Sequence, residues 1–93
     1  MAPRRIVADA KFKRAMERLG SPKAAALVRR VARQLASKPH CAPAVDGADV
    51  RVLRMRSYAG YPALRLFYTF DAHAVYLLDV QRYDELTAWV EGA

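Results

Sequence analysis

At 93 residues, with 54% hydrophobic and 27% charged side chains, the chain has the size and composition of one domain with a single modest core, which excludes a second independent domain and extensive disorder. Sixteen Lys/Arg against nine Asp/Glu give a net charge of +7, so an anionic partner is expected, nucleic acid ahead of membrane because no strongly apolar helix face accompanies the charge. The single cysteine, Cys41, excludes an internal disulfide and a thiolate metal site, and no apolar run approaches the roughly 18 residues of a membrane span.

In chain order, Arg4 to Ala8 (RRIVA) leans toward strand. Asp9 then offers a helix N-cap, whose side chain can accept from a free backbone N–H. Phe12, Ala15, Met16 and Leu19 recur at helical spacing, and Gly20 supplies the stop. Ser21-Pro22 restarts a helix, because serine caps and proline at the first helical position loses no hydrogen bond. Ala24, Leu27, Val28, Val31 and Leu35 mark the buried stripe of this second helix to about Ser37, leaving Lys23, Arg29, Arg30, Arg33 and Lys38 mostly outside it. The two helices form a hairpin. Pro39 to Asp49 has two prolines, a glycine and no period, and reads as a loop.

Alternation with period 2 then begins. Val50 to Ser57 puts Val50, Val52, Arg54 and Arg56 on one face, with Arg51, Leu53 and Met55 on the other. Tyr58 to Pro62 reads as a turn. Ala63 to Phe70 places Leu64, Leu66, Tyr68 and Phe70 on one face and Arg65, Phe67 and Thr69 on the other, and Asp71 to His73 turns the chain into a last strand, Ala74 to Val80. Asp84 can cap a final helix, Glu85 to Glu91, with Leu86, Trp89 and Val90 on its apolar side. The order β-α-α-β-β-β-α predicts an α+β fold in which the helical hairpin covers one face of an antiparallel sheet, leaving the other face open to converging polar residues.

Charge is distributed unevenly along this order. Residues 1 to 40 hold eleven Lys/Arg against two acids, and residues 41 to 93 hold five against seven. The helical half therefore supplies the long-range field and the strand half a few placed arginines. Arg54, Arg56, Arg65 and Arg82 come from three neighbouring strands, and no acid lies between Val50 and Phe70 to balance them. Guanidinium forks bind phosphate bidentately, so an acid-free cluster points to phosphate. Tyr58 and Tyr61, in the turn beside it, are candidates for stacking on a splayed base, and Lys23 and Arg30 are further RNA-contact candidates on the second helix. Tyr68 and Tyr76, inside strands, are expected to pack. His40 and His73 are expected to be exposed loop residues without catalytic partners. Asp71, Asp79 and Asp84 are spaced too irregularly for a metal site, although Asp79 can pair with an arginine.

The run LRMRSYAGYPALRLFYTF followed by AVYLLDVQRYDEL resembles the signature of the RelE/ParE toxin superfamily: a basic strand, a glycine turn, an R-L-aromatic-Y strand and a hydrophobic strand closed by a basic residue. With the preceding strand and basic hairpin, the resemblance covers nearly all of residues 1–93 as a single RelE-like toxin domain. The RelE branch implies a toxin of a type II toxin–antitoxin pair, acting in the cytoplasm as a ribosome-dependent endonuclease on mRNA and held in a hetero-oligomer by a cognate antitoxin. Its chemistry uses the 2′-hydroxyl of the RNA and no metal or cofactor. By position, Arg54 and Arg56 match the basic strand, Arg65 the arginine of R-L-x-Y and Arg82 the closing basic residue, with Tyr83 a candidate for proton transfer. Val52 stands where active members can carry a further basic residue. The ParE branch, on the same fold, implies instead a non-nucleolytic inhibitor of DNA gyrase, and a third class would bind RNA or antitoxin without cutting.

Overall fold

The computed structural model describes residues 3–45, 49–56 and 63–82. Strand β1 (Arg5–Ala8) leads into helix α1 (Ala10–Leu19), followed by helix α2 (Pro22–Ser37), a 3-10 turn (Pro39–Cys41), and strands β2 (Arg51–Met55), β3 (Leu64–Phe70) and β4 (Ala74–Arg82). The Tyr58–Pro62 turn, Tyr83 and the helix expected from Glu85 lie outside the described residues.

Both helices begin, and α1 ends, where local chemistry dictates. The Asp9 side chain accepts from the Phe12 N–H at 2.9 Å, and Gly20 closes α1 in the left-handed region at φ 63°, a conformation that costs a side-chain-bearing residue about 1–2 kcal/mol. Ser21 accepts from the Ala24 N–H at 3.2 Å with Pro22 at the first position of α2. Neither helix has an acid in its first turn, and each capping side chain accepts from one first-turn N–H.

The sheet order is β1-β4-β3-β2. Strands β2, β3 and β4 form the expected antiparallel meander, but β1 pairs with β4 in parallel, so the sheet is mixed and not purely antiparallel. The hairpin carries the chain from β1 at one edge of the sheet to β2 at the other, a crossover long enough to enter β2 parallel to β1, and the two reversals of the meander then leave β4 parallel to β1 as well. The far edge is partly covered by the loop, where Ala44 bridges to Arg51 and the Val45 N–H donates to the Val50 carbonyl at 2.7 Å.

One face of the sheet packs against α1 and α2. Phe12, Ala15 and Leu19 from α1 and Ala24, Val28, Val31 and Leu35 from α2 meet Leu64, Leu66, Tyr68, Val75, Leu77 and Val80 from the sheet. Tyr68, fully buried, donates its hydroxyl to the Pro39 carbonyl at 2.7 Å, and burial pushes its phenol above the ordinary range. Tyr76 is half-buried, and its hydroxyl donates to Asp71 at 2.9 Å.

The β3–β4 turn is built on Asp71. Its carboxylate accepts from the His73 N–H at 2.7 Å, the Ala74 N–H at 2.8 Å and the Tyr76 hydroxyl, and the two backbone donors hold its pKa below the ordinary 3.8. A carboxyl whose folded pKa is depressed contributes stability that is complete above its unfolded pKa, near 4, and is lost as pH falls through the folded value. Melting temperature measured from about pH 5 down to pH 2 is therefore expected to fall less steeply for Asp71→Asn than for the parent, and parallel profiles would refute the assignment.

Candidate functional site

No described element covers the second face of the sheet, and the register fixes which side chains stand on it. Arg54 lies directly opposite Arg65, and Arg65 lies opposite Gln81. One rung further along, Val52 faces Phe67 and Phe67 faces Asp79. Directly opposed residues share a face, and their Cβ atoms stand about 4.5–5.5 Å apart. The pairing brings two cationic side chains together on this face. Two guanidiniums so placed can share one phosphate. Arg65 is half-buried and Arg54 exposed; Arg56, exposed, follows the end of β2.

Arg82 differs from expectation. It pairs with Leu64, a fully buried core residue, and so belongs to the helix side of the sheet, at a depression by the end of β4 that Ala15, Arg18 and Leu19 of α1 line together with Asp79, Val80, Gln81 and Arg82. The cause is a register irregularity in the β3–β4 ladder: Phe67 pairs with Asp79 while the next residue, Tyr68, pairs with Leu77, leaving Leu78 as the extra residue of a bulge. A bulge inverts the alternation beyond it. Val75 and Leu77 point to the core before it, and Val80 does so after it, which carries Asp79 and Gln81 to the open face and Arg82 away from it.

Gln81 and Asp79 are therefore members of the face that sequence reasoning did not place there. They are linked to each other, the Gln81 Nε2 donating to Asp79 Oδ2 at 3.1 Å, while the Val80 N–H donates to Asp79 Oδ1 at 2.9 Å. Lys23 and Arg30 are exposed on α2, across the sheet from Arg54 and Arg65, and so do not join this cluster. Tyr58, Tyr61 and Tyr83 lie outside the described residues.

Other arginines serve the scaffold. Arg51, on the helix side, donates to the Ala42 carbonyl at 2.6 Å, and its guanidinium lies 5.3 Å from the centre of the Phe70 ring. Arg4 approaches the same ring at 5.5 Å and donates through Nε to the Asp71 carbonyl at 2.7 Å. His40 meets Phe70 edge-on at 4.7 Å. These contacts tie the loop after α2 and the β3–β4 turn to the far end of β3. Among the described residues, no group of three or more His, Cys, Asp or Glu is placed to hold a metal ion.

No protein-family model matches the chain, and no curated protein matches it. Solved structures do match. The toxin RelE of E. coli in its free state, as a variant with two arginines replaced by alanine, superposes with a TM-score of 0.71 at 13% identity over 97% of this chain and 94% of that one. This is the RelE fold. The RelBE2 toxin–antitoxin complex of Mycobacterium tuberculosis contains a chain that superposes at 0.70 with 20% identity, covering 88% of this chain and 100% of that one. The intact E. coli RelBE toxin–antitoxin complex gives 0.70 and 15% over 89% and 99%. In this RelE-fold chain Arg54 of β2 and Arg65 of β3 share the open face, and the bulge in β4 brings the Gln81 amide and the Asp79 carboxylate to it.

Proposed function

We propose that the chain is the toxin of a type II toxin–antitoxin pair and that it inhibits translation by cutting mRNA on the ribosome. The observation that carries this reading is the Arg54–Arg65 pair, directly opposed on the open face of a RelE-fold sheet. The 2′-hydroxyl oxygen of the RNA attacks the adjacent phosphorus, the 5′-oxygen of the next nucleotide leaves, and a cyclic phosphate and a free 5′-hydroxyl result. The intervening phosphorane carries more negative charge than the diester, so fixed guanidiniums stabilise it more than they stabilise the substrate. Arg54 and Arg65 hold that phosphate, with Arg56 beside them. Arginine stays protonated and cannot accept the 2′-hydroxyl proton. Tyr83, next to the end of β4, is the chain's candidate for proton transfer, and the ribosome can complete the site.

An antitoxin partner fits the opposite side of the molecule. A groove of about 560 Å³ between α1, α2 and β1 has an apolar floor of Ile6, Phe12, Met16, Val28 and Leu77 and a rim of Lys13, Arg29 and Arg33 against the single acid Glu17. Ile6 and Val7 on the neighbouring edge strand are 38% and 36% exposed. Apolar floor and cationic rim suit an acidic amphipathic segment, and the opposite charge speeds its capture. A described helix long and apolar enough to span a membrane is absent, and the proposed site of action is the cytoplasm.

Toe-printing on translating ribosomes tests the reading. Added protein is expected to produce new mRNA ends within the ribosomal A site. Intact mRNA together with accumulating DNA damage in induced cells would instead identify a gyrase poison, and intact mRNA with salt-sensitive RNA binding a non-cleaving binder.

A further inference from the structure

The open face holds more than a phosphate cradle. Its rung next to Arg54, Arg65 and Gln81 consists of Val52, Phe67 and Asp79, an aromatic ring between a small apolar side chain and a carboxylate. Same-face rungs along a strand lie about 6.4–6.8 Å apart, so the two rungs are immediate neighbours on the face. Phe67 is half-buried at the centre of this face, keeping part of its ring accessible, whereas the three residues on the helix side of β3, Leu64, Leu66 and Tyr68, are all fully buried. Asp79 reaches the same face only because of the bulge at Leu78, a device that re-aims side chains beside functional sites. Among the described residues its two oxygens accept from the Val80 N–H and the Gln81 amide, which fix the carboxylate, and a carboxylate oxygen carries more than one acceptor lone pair.

We propose that this rung is a base-binding subsite, in which Phe67 stacks under one unstacked nucleobase and Asp79 accepts a hydrogen bond from that base's exocyclic amino group, while Arg54 and Arg65 hold the adjoining phosphate. The inference rests on the reading of Arg54 and Arg65 as a phosphate site and adds a selectivity to it. Cytosine, adenine and guanine carry such an amino group; uracil presents an acceptor there and faces the carboxylate unfavourably. A carboxylate accepting from the cytosine amino group is an established form of base discrimination, and base–aromatic stacking tolerates any base, so the two residues have separable roles.

The test needs neither ribosome nor cleavage. Fluorescence anisotropy at fixed salt compares the purified chain's affinity for two uncleavable 2′-fluoro pentanucleotides, uracil throughout or with cytosine at the centre. The parent is expected to favour the cytosine-containing strand by about 5-fold or more. Asp79→Asn, whose amide can donate to the uracil oxygen, is expected to abolish or invert that preference. Phe67→Ala is expected to weaken both strands by about 5- to 150-fold without changing their ratio, with Phe67→Tyr close to the parent. Phe67→Leu keeps apolar volume if the alanine variant fails to fold, and it should bind as poorly as a chain without the ring. Equal parental affinity for the two strands, unchanged preference in Asp79→Asn, or full affinity in Phe67→Leu would each overturn the proposal. Failure of A-site cutting with cytosine preference intact would sink the proposed function and leave this subsite standing.

Discussion

Cells induced to make the Arg65→Ala chain are expected to keep growing under conditions in which the parent chain arrests them. Arg65 is the middle member of the cationic rung, opposed by Arg54 on β2 and by Gln81 on β4, so a phosphate over the rung cannot avoid it. Removing one preorganised donor to a developing oxyanion lowers turnover by about 10²–10³-fold, and the loss falls on the rate of the chemical step more than on binding. Because Arg65 is half-buried, its aliphatic stem also packs, and truncation can lower stability for reasons unrelated to charge. Arg65→Lys separates the two effects: it keeps the stem and the charge but loses the planar fork, so toxicity should fall while the melting temperature is retained. Equal toxicity of parent and Arg65→Ala, with both proteins present at equal levels, would remove the arginine rung from the mechanism.

The largest effect on stability is expected at Leu66. It is fully buried at the centre of β3, paired with Leu53 on one side and Val80 on the other, beneath the helical hairpin. Cutting a buried leucine back to alanine costs about 2–5 kcal/mol, through lost transfer free energy and the cavity left behind. A domain of this size has about 5–15 kcal/mol in total and loses roughly 4–8 °C of melting temperature per kcal/mol. Leu66→Ala should therefore melt at least about 8 °C below the parent by circular dichroism. A shift under about 4 °C would mean that the side chain does not sit in a close-packed core. Its neighbour Arg65, one residue away on the other face, makes the contrast direct: one position should govern folding and the next activity.

That contrast was visible in the sequence, because alternation along a strand is a geometric necessity once the strand is granted. Leu64, Leu66 and Tyr68 were separated from Arg65 and Phe67 by parity alone, and the structure buries the first set. The helix boundaries were equally legible, since Asp9, Gly20 and Ser21-Pro22 act through bonds to residues three or four positions away. Parallel pairing of β1 with β4 was not, because nothing local in Arg5–Ala8 records which strand, nearly seventy residues on, will lie beside it. The same holds for Arg51, whose bond to the Ala42 carbonyl depends on how the loop folds back.

The membership of the open face shows the division most clearly. By itself the sequence determined an acid-free basic strand, a meander and the residues of β2 and β3 that share a side. Only the tertiary structure decided what β4 contributes, because a one-residue bulge at Leu78 has no local signature in AVYLLDVQR yet inverts every side chain after it. Uninterrupted alternation would have put Arg82 on the same face as Arg65; the bulge puts Gln81 and Asp79 on that face and turns Arg82 toward α1. The bulge keeps Val75, Leu77 and Val80 all in the core, an arrangement strict alternation cannot give, so packing against the helices selects the register and the register selects the chemistry.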